Sequence, residues 1–93
     1  MLLLMRIEKS PATVFTPLAD GTAVLLNVDT RLYFNLNRTA AAIWQQIEKA
    51  QSVTLDELVR KTCEQFEVDE GAARQDLSDF ARQLERLKMV SLA

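Results

Sequence analysis

Apolar positions along the chain follow two rhythms, an alternation at period two in the first third and a recurrence every three to four residues in the rest. Ala12 to Leu18 is rich in β-branched and aromatic types, and Ala19-Asp20-Gly21-Thr22 follows it with the Asp-Gly pair of a tight turn. A second strand over Thr22 to Val28 holds Ala23-Val24-Leu25-Leu26, and Asp29-Thr30 reverses the chain into a third strand, Arg31 to Leu36. In that third strand Leu32, Phe34 and Leu36 share one face, expected to meet the core, while Tyr33 and Asn35 share the other. The pattern predicts a three-stranded antiparallel meander, with residues 1–11 irregular or forming an extra strand.

From Asn37 the period becomes helical. Asn37 or Thr39 caps a first helix whose stripe is Ala40, Ile43, Trp44 and Ile47. Thr54-Leu55-Asp56-Glu57 has the spacing of a capping box with Val53 and Leu58 placed as a staple, and Leu55, Leu58, Val59, Thr62 and Phe66 continue as a second stripe. After Glu67-Val68, Asp69 caps a third helix with the stripe Ala73, Leu77, Phe80, Leu84 and Leu87. Asp69 and Glu70 lie at its start and Arg82, Arg86 and Lys88 near its end, as the helix dipole favours. Val90 and Leu92 finish the chain. Three strands followed by three helices, with a short turn between the last two, predict an α+β domain of winged helix-turn-helix type spanning residues 1–93.

Composition narrows the chemistry. Histidine is absent, which removes the most common general base and metal ligand at neutral pH. Eleven basic residues against thirteen acidic ones give net −2 without a basic block, a poor match for a phosphate backbone. The lone Cys63 has no internal disulfide partner and lies in an apolar helical pattern, so it reads as core. Trp44 reads as core by its spacing with Ile43 and Ile47. Asp76 and Asp79 stand three apart on a charged helix without a base or nucleophile, and solvation explains them better than catalysis. The apolar start, Met1 to Met5, is too short for a secretory signal or a membrane span, so the expectation is cytoplasmic, with no membrane partner. No catalytic residue, cofactor or metal ligand is expected.

The two edges of a sequential meander differ. The first strand carries Pro17, a usual way of blunting an edge, whereas the third has neither proline nor glycine and is apolar on both faces. The third strand is therefore a template for an added peptide strand, with the third helix as a wall. Leu77, Phe80 and Leu84 pack that helix on the sheet, Ala81 leaves room, and Arg74, Ser78, Arg82 and Glu85 supply polar groups. The competing reading is that Tyr33 only covers the sheet, with the third strand paired in a homodimer or with the amino-terminal segment.

The ordered set Ala23-Val24-Leu25-Leu26-Asn27, Tyr33-Phe34-Asn35-Leu36-Asn37, Ala42-Ile43-Trp44, Phe66-Glu67-Val68-Asp69 and Asp76-Leu77-Ser78-Asp79-Phe80-Ala81-Arg82-Gln83-Leu84 resembles the PqqD-like proteins from about Leu18 to Val90. That family is named for the accessory chaperone of pyrroloquinoline quinone biosynthesis and serves as a recognition element for ribosomally made, post-translationally modified peptides. The resemblance implies a leader peptide lying along the third strand beside the third helix. The contacts it implies are Arg31, Leu32, Tyr33, Phe34 and Asn35 on the strand and Leu77, Ser78, Ala81 and Arg82 on the helix. Ala41 and Lys88 depart from it, at positions where the family often has glycine.

The partners it implies are a precursor leader peptide and a separate modifying enzyme, either a radical SAM enzyme or a leader protease and cyclase, with this chain as a free-standing, non-catalytic module. The rivals are a DNA-binding transcription regulator, opposed by the acidic Asp69, Glu70, Asp76 and Asp79 on the third helix, and a self-associating structural domain.

Overall fold

The computed structural model describes residues 5–93. Its element order is β1 (Arg6–Lys9), β2 (Thr13–Pro17), β3 (Ala23–Asn27), β4 (Tyr33–Leu36), α1 (Arg38–Ala50), β5 (Ser52–Thr54), α2 (Leu55–Gln65), α3 (Glu70–Arg86) and β6 (Val90–Leu92). The α+β class holds, and the meander is present as β2-β3-β4 in sequential order. A single sheet does not suffice, however: β1, β5 and β6 form a second antiparallel sheet in the order β5-β1-β6, with Ile7 opposite both Val53 and Leu92. Of the segment expected to be irregular or a strand, residues 1–4 lie outside the described residues and Arg6–Lys9 is a central strand, with Val90 and Leu92 in its partner β6.

The three helices start where side-chain caps satisfy free backbone N–H groups. Asn37, rather than Thr39, caps α1 by accepting from the Ala40 amide. Thr54 and Glu57 form the reciprocal capping box of α2, and Asp69 accepts from Ala72 at the start of α3. At the far end of α3 the Met89 amide donates to Leu84 O and the Lys88 amide to Glu85 O, a Schellman closure with Lys88 at φ 61°. That left-handed conformation favours glycine; here lysine occupies it at a steric cost.

One core joins both sheets and all three helices. Trp44, Ile7, Leu25, Leu84 and Met89 are fully excluded from solvent, and Leu36, Ile47, Val53, Leu58 and Leu77 are nearly so. Trp44 donates its indole N–H to Glu48 at 3.0 Å, which satisfies the polar end of a buried ring. Cys63 is half-buried and packs against the core. Among the described residues no helix is long and apolar enough to cross a membrane.

Candidate peptide-binding edge

The hydrogen-bond phase of the meander decides which backbone groups of β4 are free. Asn27 N–H donates to Leu32 O at 2.9 Å, so Asn27 and Leu32 are a hydrogen-bonded pair, and antiparallel pairs alternate. Leu25–Phe34 and Ala23–Leu36 are then bonded pairs, while Tyr33 and Asn35, opposite Leu26 and Val24, turn their N–H and C=O groups away from β3. β4 has no other strand beside it among the described residues. The outward backbone row on the β4 edge of the meander is therefore Tyr33 and Asn35.

The same alternation blunts β2. Leu18 N–H donates to Thr22 O and Val28 N–H to Ala12 O, which fixes Val14 and Thr16 as the residues bonded to β3 and leaves Thr13, Phe15 and Pro17 facing out. Thr13 spends its amide on Ser10 O, and Pro17 has none to offer. Only Phe15 keeps a free outward amide there, so the contrast between the two edges rests on hydrogen bonding as well as composition.

The side chains of β4 divide as their alternation requires, with one exception. Leu36 is buried and Phe34 half-buried on the inner face, whereas Tyr33 is 65% exposed and joins Leu26 and Val14 on the outer one. Leu32, expected to share the core face, is 42% exposed because the strand begins only at Tyr33, two residues later than expected. The turn preceding it places Arg31 at φ 64° with Arg31 N–H donating to Asn27 O, so the chain enters β4 only after Leu32.

On α3 the expected wall residues separate into three directions. Phe80 meets the strand: its ring lies 6.3 Å from that of Phe34, centroid to centroid, at 43°. Leu77 and Ala81 point into the core and are almost fully buried, so they set the height of the wall from beneath. Ser78 and Arg82 lie about 160° around the helix from Phe80 at about 100° per residue. They line a cavity with Met5, Leu55, Leu92 and Ala93 on the side of the second sheet. The structure therefore brings Phe80, and not Ser78 or Arg82, together with Phe34.

Sequence reading passed over the residues that continue from Phe80 toward the end of β4. Asp76, one turn earlier on α3, shares with Phe80 and Leu77 a cavity of about 530 Å³ that also takes in Asn37, Ala40 and Ile43 from the start of α1 and Phe66 and Glu67 after α2. The signal is the four-residue spacing of Asp76 and Phe80, which puts both on one face of α3. Among the described residues no group of His, Cys, Asp or Glu side chains is arranged to hold a metal ion.

The model of the family Coenzyme PQQ synthesis protein D (PqqD) matches residues 22–90. The chain belongs to the PqqD family. Among solved structures it is similar to TbiB1 in complex with the TbiA(beta) leader peptide, with a TM-score of 0.81 and 30% identity over 90% of this chain and 94% of that one. It is also similar to a lasso peptide synthetase B1 complexed with the leader peptide, with a TM-score of 0.75 and 22% identity over 91% and 96% of the two chains; that likeness concerns the fold. None of the curated proteins matches the chain.

Proposed function

We propose that this PqqD-family chain binds the leader of a ribosomal precursor peptide by strand addition to β4 and presents it to a separate modifying enzyme. The observation that carries the proposal is the outward row of Tyr33 and Asn35 backbone groups on an edge strand flanked by Phe80. The likeness to TbiB1, whose structure holds a leader peptide, supports it. Main-chain hydrogen bonds supply register and the inner face of the guest strand supplies selectivity. Arg31 and Leu32 flank the entry to the strand, and Tyr33, Phe34 and Asn35 make the contact, while Leu77 and Ala81 support it from below. Ser78 and Arg82 face elsewhere.

The role needs no bond broken by this chain. Holding the leader raises the local concentration of the core peptide at the enzyme, and an affinity of about 1 μM corresponds to about 8 kcal/mol. The enzyme is of the radical SAM type or a leader protease with a cyclase, and the complex works in the cytoplasm where precursors are made. The DNA-reading alternative places Asp69, Glu70, Asp76 and Asp79 of the presumed recognition helix against phosphates, an electrostatic mismatch.

The test uses fluorescently labelled leaders of precursors encoded near the gene, titrated with the full chain and followed by anisotropy. One of them binds, and Asn35→Pro abolishes the binding while the circular dichroism and melting curve stay those of a folded domain. If none binds, or if Asn35→Pro binds as the parent does, strand addition to β4 is wrong.

A further inference from the structure

We infer that the cavity between α1 and α3 at the end of β4 receives an apolar side chain of the guest peptide, and that Glu67 and Asp76 select guests carrying lysine or arginine within two positions of it. The inference rests on the strand-addition reading and adds to it the chemistry of the guest.

The walls of the cavity are apolar, through Ala40, Ile43, Phe66 and Phe80, and it lies beside the β4 edge, since Asn37 follows directly on Leu36 and Phe80 contacts Phe34. A guest strand on β4 points alternate side chains inward. The one opposite Phe34 meets Phe80, and the next inward one lies about 7 Å further along, toward Asn37 and the cavity. Burying one such aliphatic or aromatic side chain in an apolar site is favourable through the water it displaces.

Charge decides the neighbour. Glu67 and Asp76 are exposed at the cavity, neither makes an ion pair among the described residues, and no lysine or arginine lines it. Screening over about 8 Å at physiological salt favours the nearest charges, and the charged residues lining the cavity are Glu67 and Asp76. A guest carboxylate there meets like charge, whereas a long basic side chain one or two positions away keeps its stem on the apolar wall and its charge at the rim.

A display library of random peptides about ten residues long, enough to span the edge and the cavity, is selected against the full chain. The same selection is run on the double variant Glu67→Gln/Asp76→Asn and on Asn35→Pro. On the parent chain, peptides with an apolar residue and a nearby lysine or arginine are enriched. On the double variant the apolar preference stays and the basic one disappears, and resynthesised parent-selected peptides bind it about fivefold more weakly at low salt. Enrichment of apolar residues without basic ones on the parent chain, or an unchanged basic preference on the double variant, overturns the charge selection alone. Selection that is equally strong on Asn35→Pro overturns the strand-addition reading beneath it.

Discussion

The side-chain amide of Asn27 donates to the carbonyl of Lys88 at 2.7 Å, and its oxygen accepts from the amides of Asp29 and Thr30. One buried side chain thereby ties the end of β3 to the turn after α3 and shapes the loop that delivers Arg31 and Leu32 to β4. Thr13 makes the parallel bond from β2, its hydroxyl donating to Met89 O at 2.9 Å. The two polar residues hold the meander on the helix end, and so fix the distance between the β4 edge and its wall.

Replacing Asn27 with leucine leaves the Lys88 carbonyl and two loop amides without their partner. Asn27→Leu is expected to destabilise the domain by about 2 to 3 kcal/mol, because orphaned polar groups lose their protein bonds and regain water only in part. Urea denaturation measures this, and a change within about 0.5 kcal/mol, the scale of an ordinary surface substitution, contradicts the tie.

Lys88 offers the opposite change. It occupies the left-handed position of the Schellman closure at φ 61°, and glycine there removes the clash of Cβ with the backbone at some cost in unfolded-chain entropy. Lys88→Gly is expected to raise stability by about 0.5 to 1 kcal/mol, read as a higher melting temperature with unchanged secondary structure. A lower melting temperature shows that the lysine side chain contributes more than its backbone costs.

How much of this was legible in the sequence depended on range. Asn37, Thr54, Asp69 and the helical stripes are local signals, and the three helices begin where those caps stand. Pro17 and the alternation from Tyr33 to Leu36 likewise pointed to the two edges of the meander. The second sheet gave no such signal, because β1, β5 and β6 are three or four residues long and pair only across the whole chain, as Ile7 does with Val53 and Leu92. The wall of the site was half legible. Phe80 lies on the apolar stripe, but Ser78 and Arg82 follow from the stripe only if the face toward β4 is known, and that face is set by how α3 packs on the core.

Two exposed carboxylates titrate below the ordinary range. The Thr22 hydroxyl, and then the Thr22 amide, hold Asp20 down in the turn before β3; the Thr54 hydroxyl, and then its amide, do the same for Glu57 in the capping box. A depressed folded pKa means that the charged form is the stabilising one. That contribution is fully present above the unfolded value of about 4 and is lost as the pH falls through the folded one. Carbon-detected NMR titration should find both midpoints below the ordinary values for their residue types, and Thr54→Val should move the Glu57 midpoint upward while leaving that of Asp20 in place. Equal midpoints for Glu57 in the two proteins exclude the Thr54 hydroxyl as the cause.

The alternation along β4 is itself measurable by hydrogen exchange. Phe34 and Leu36 direct their amides to Leu25 and Ala23 in β3, whereas Tyr33 and Asn35 direct theirs to solvent. In the free chain the amides of Phe34 and Leu36 should exchange slowly, through opening of the meander, and those of Tyr33 and Asn35 close to the rate of an unstructured peptide. A guest strand on the edge must invert that contrast, bringing Tyr33 and Asn35 to the protection of their neighbours without changing Phe34 or Leu36. A peptide that binds in any other way, for instance against the outer face made by Val14, Leu26 and Tyr33, covers side chains and leaves the two outward amides fast. Slow exchange at Tyr33 and Asn35 in the free chain at high dilution means that the edge is already filled from within. If their protection appears only as concentration rises, a second copy of the chain is the occupant.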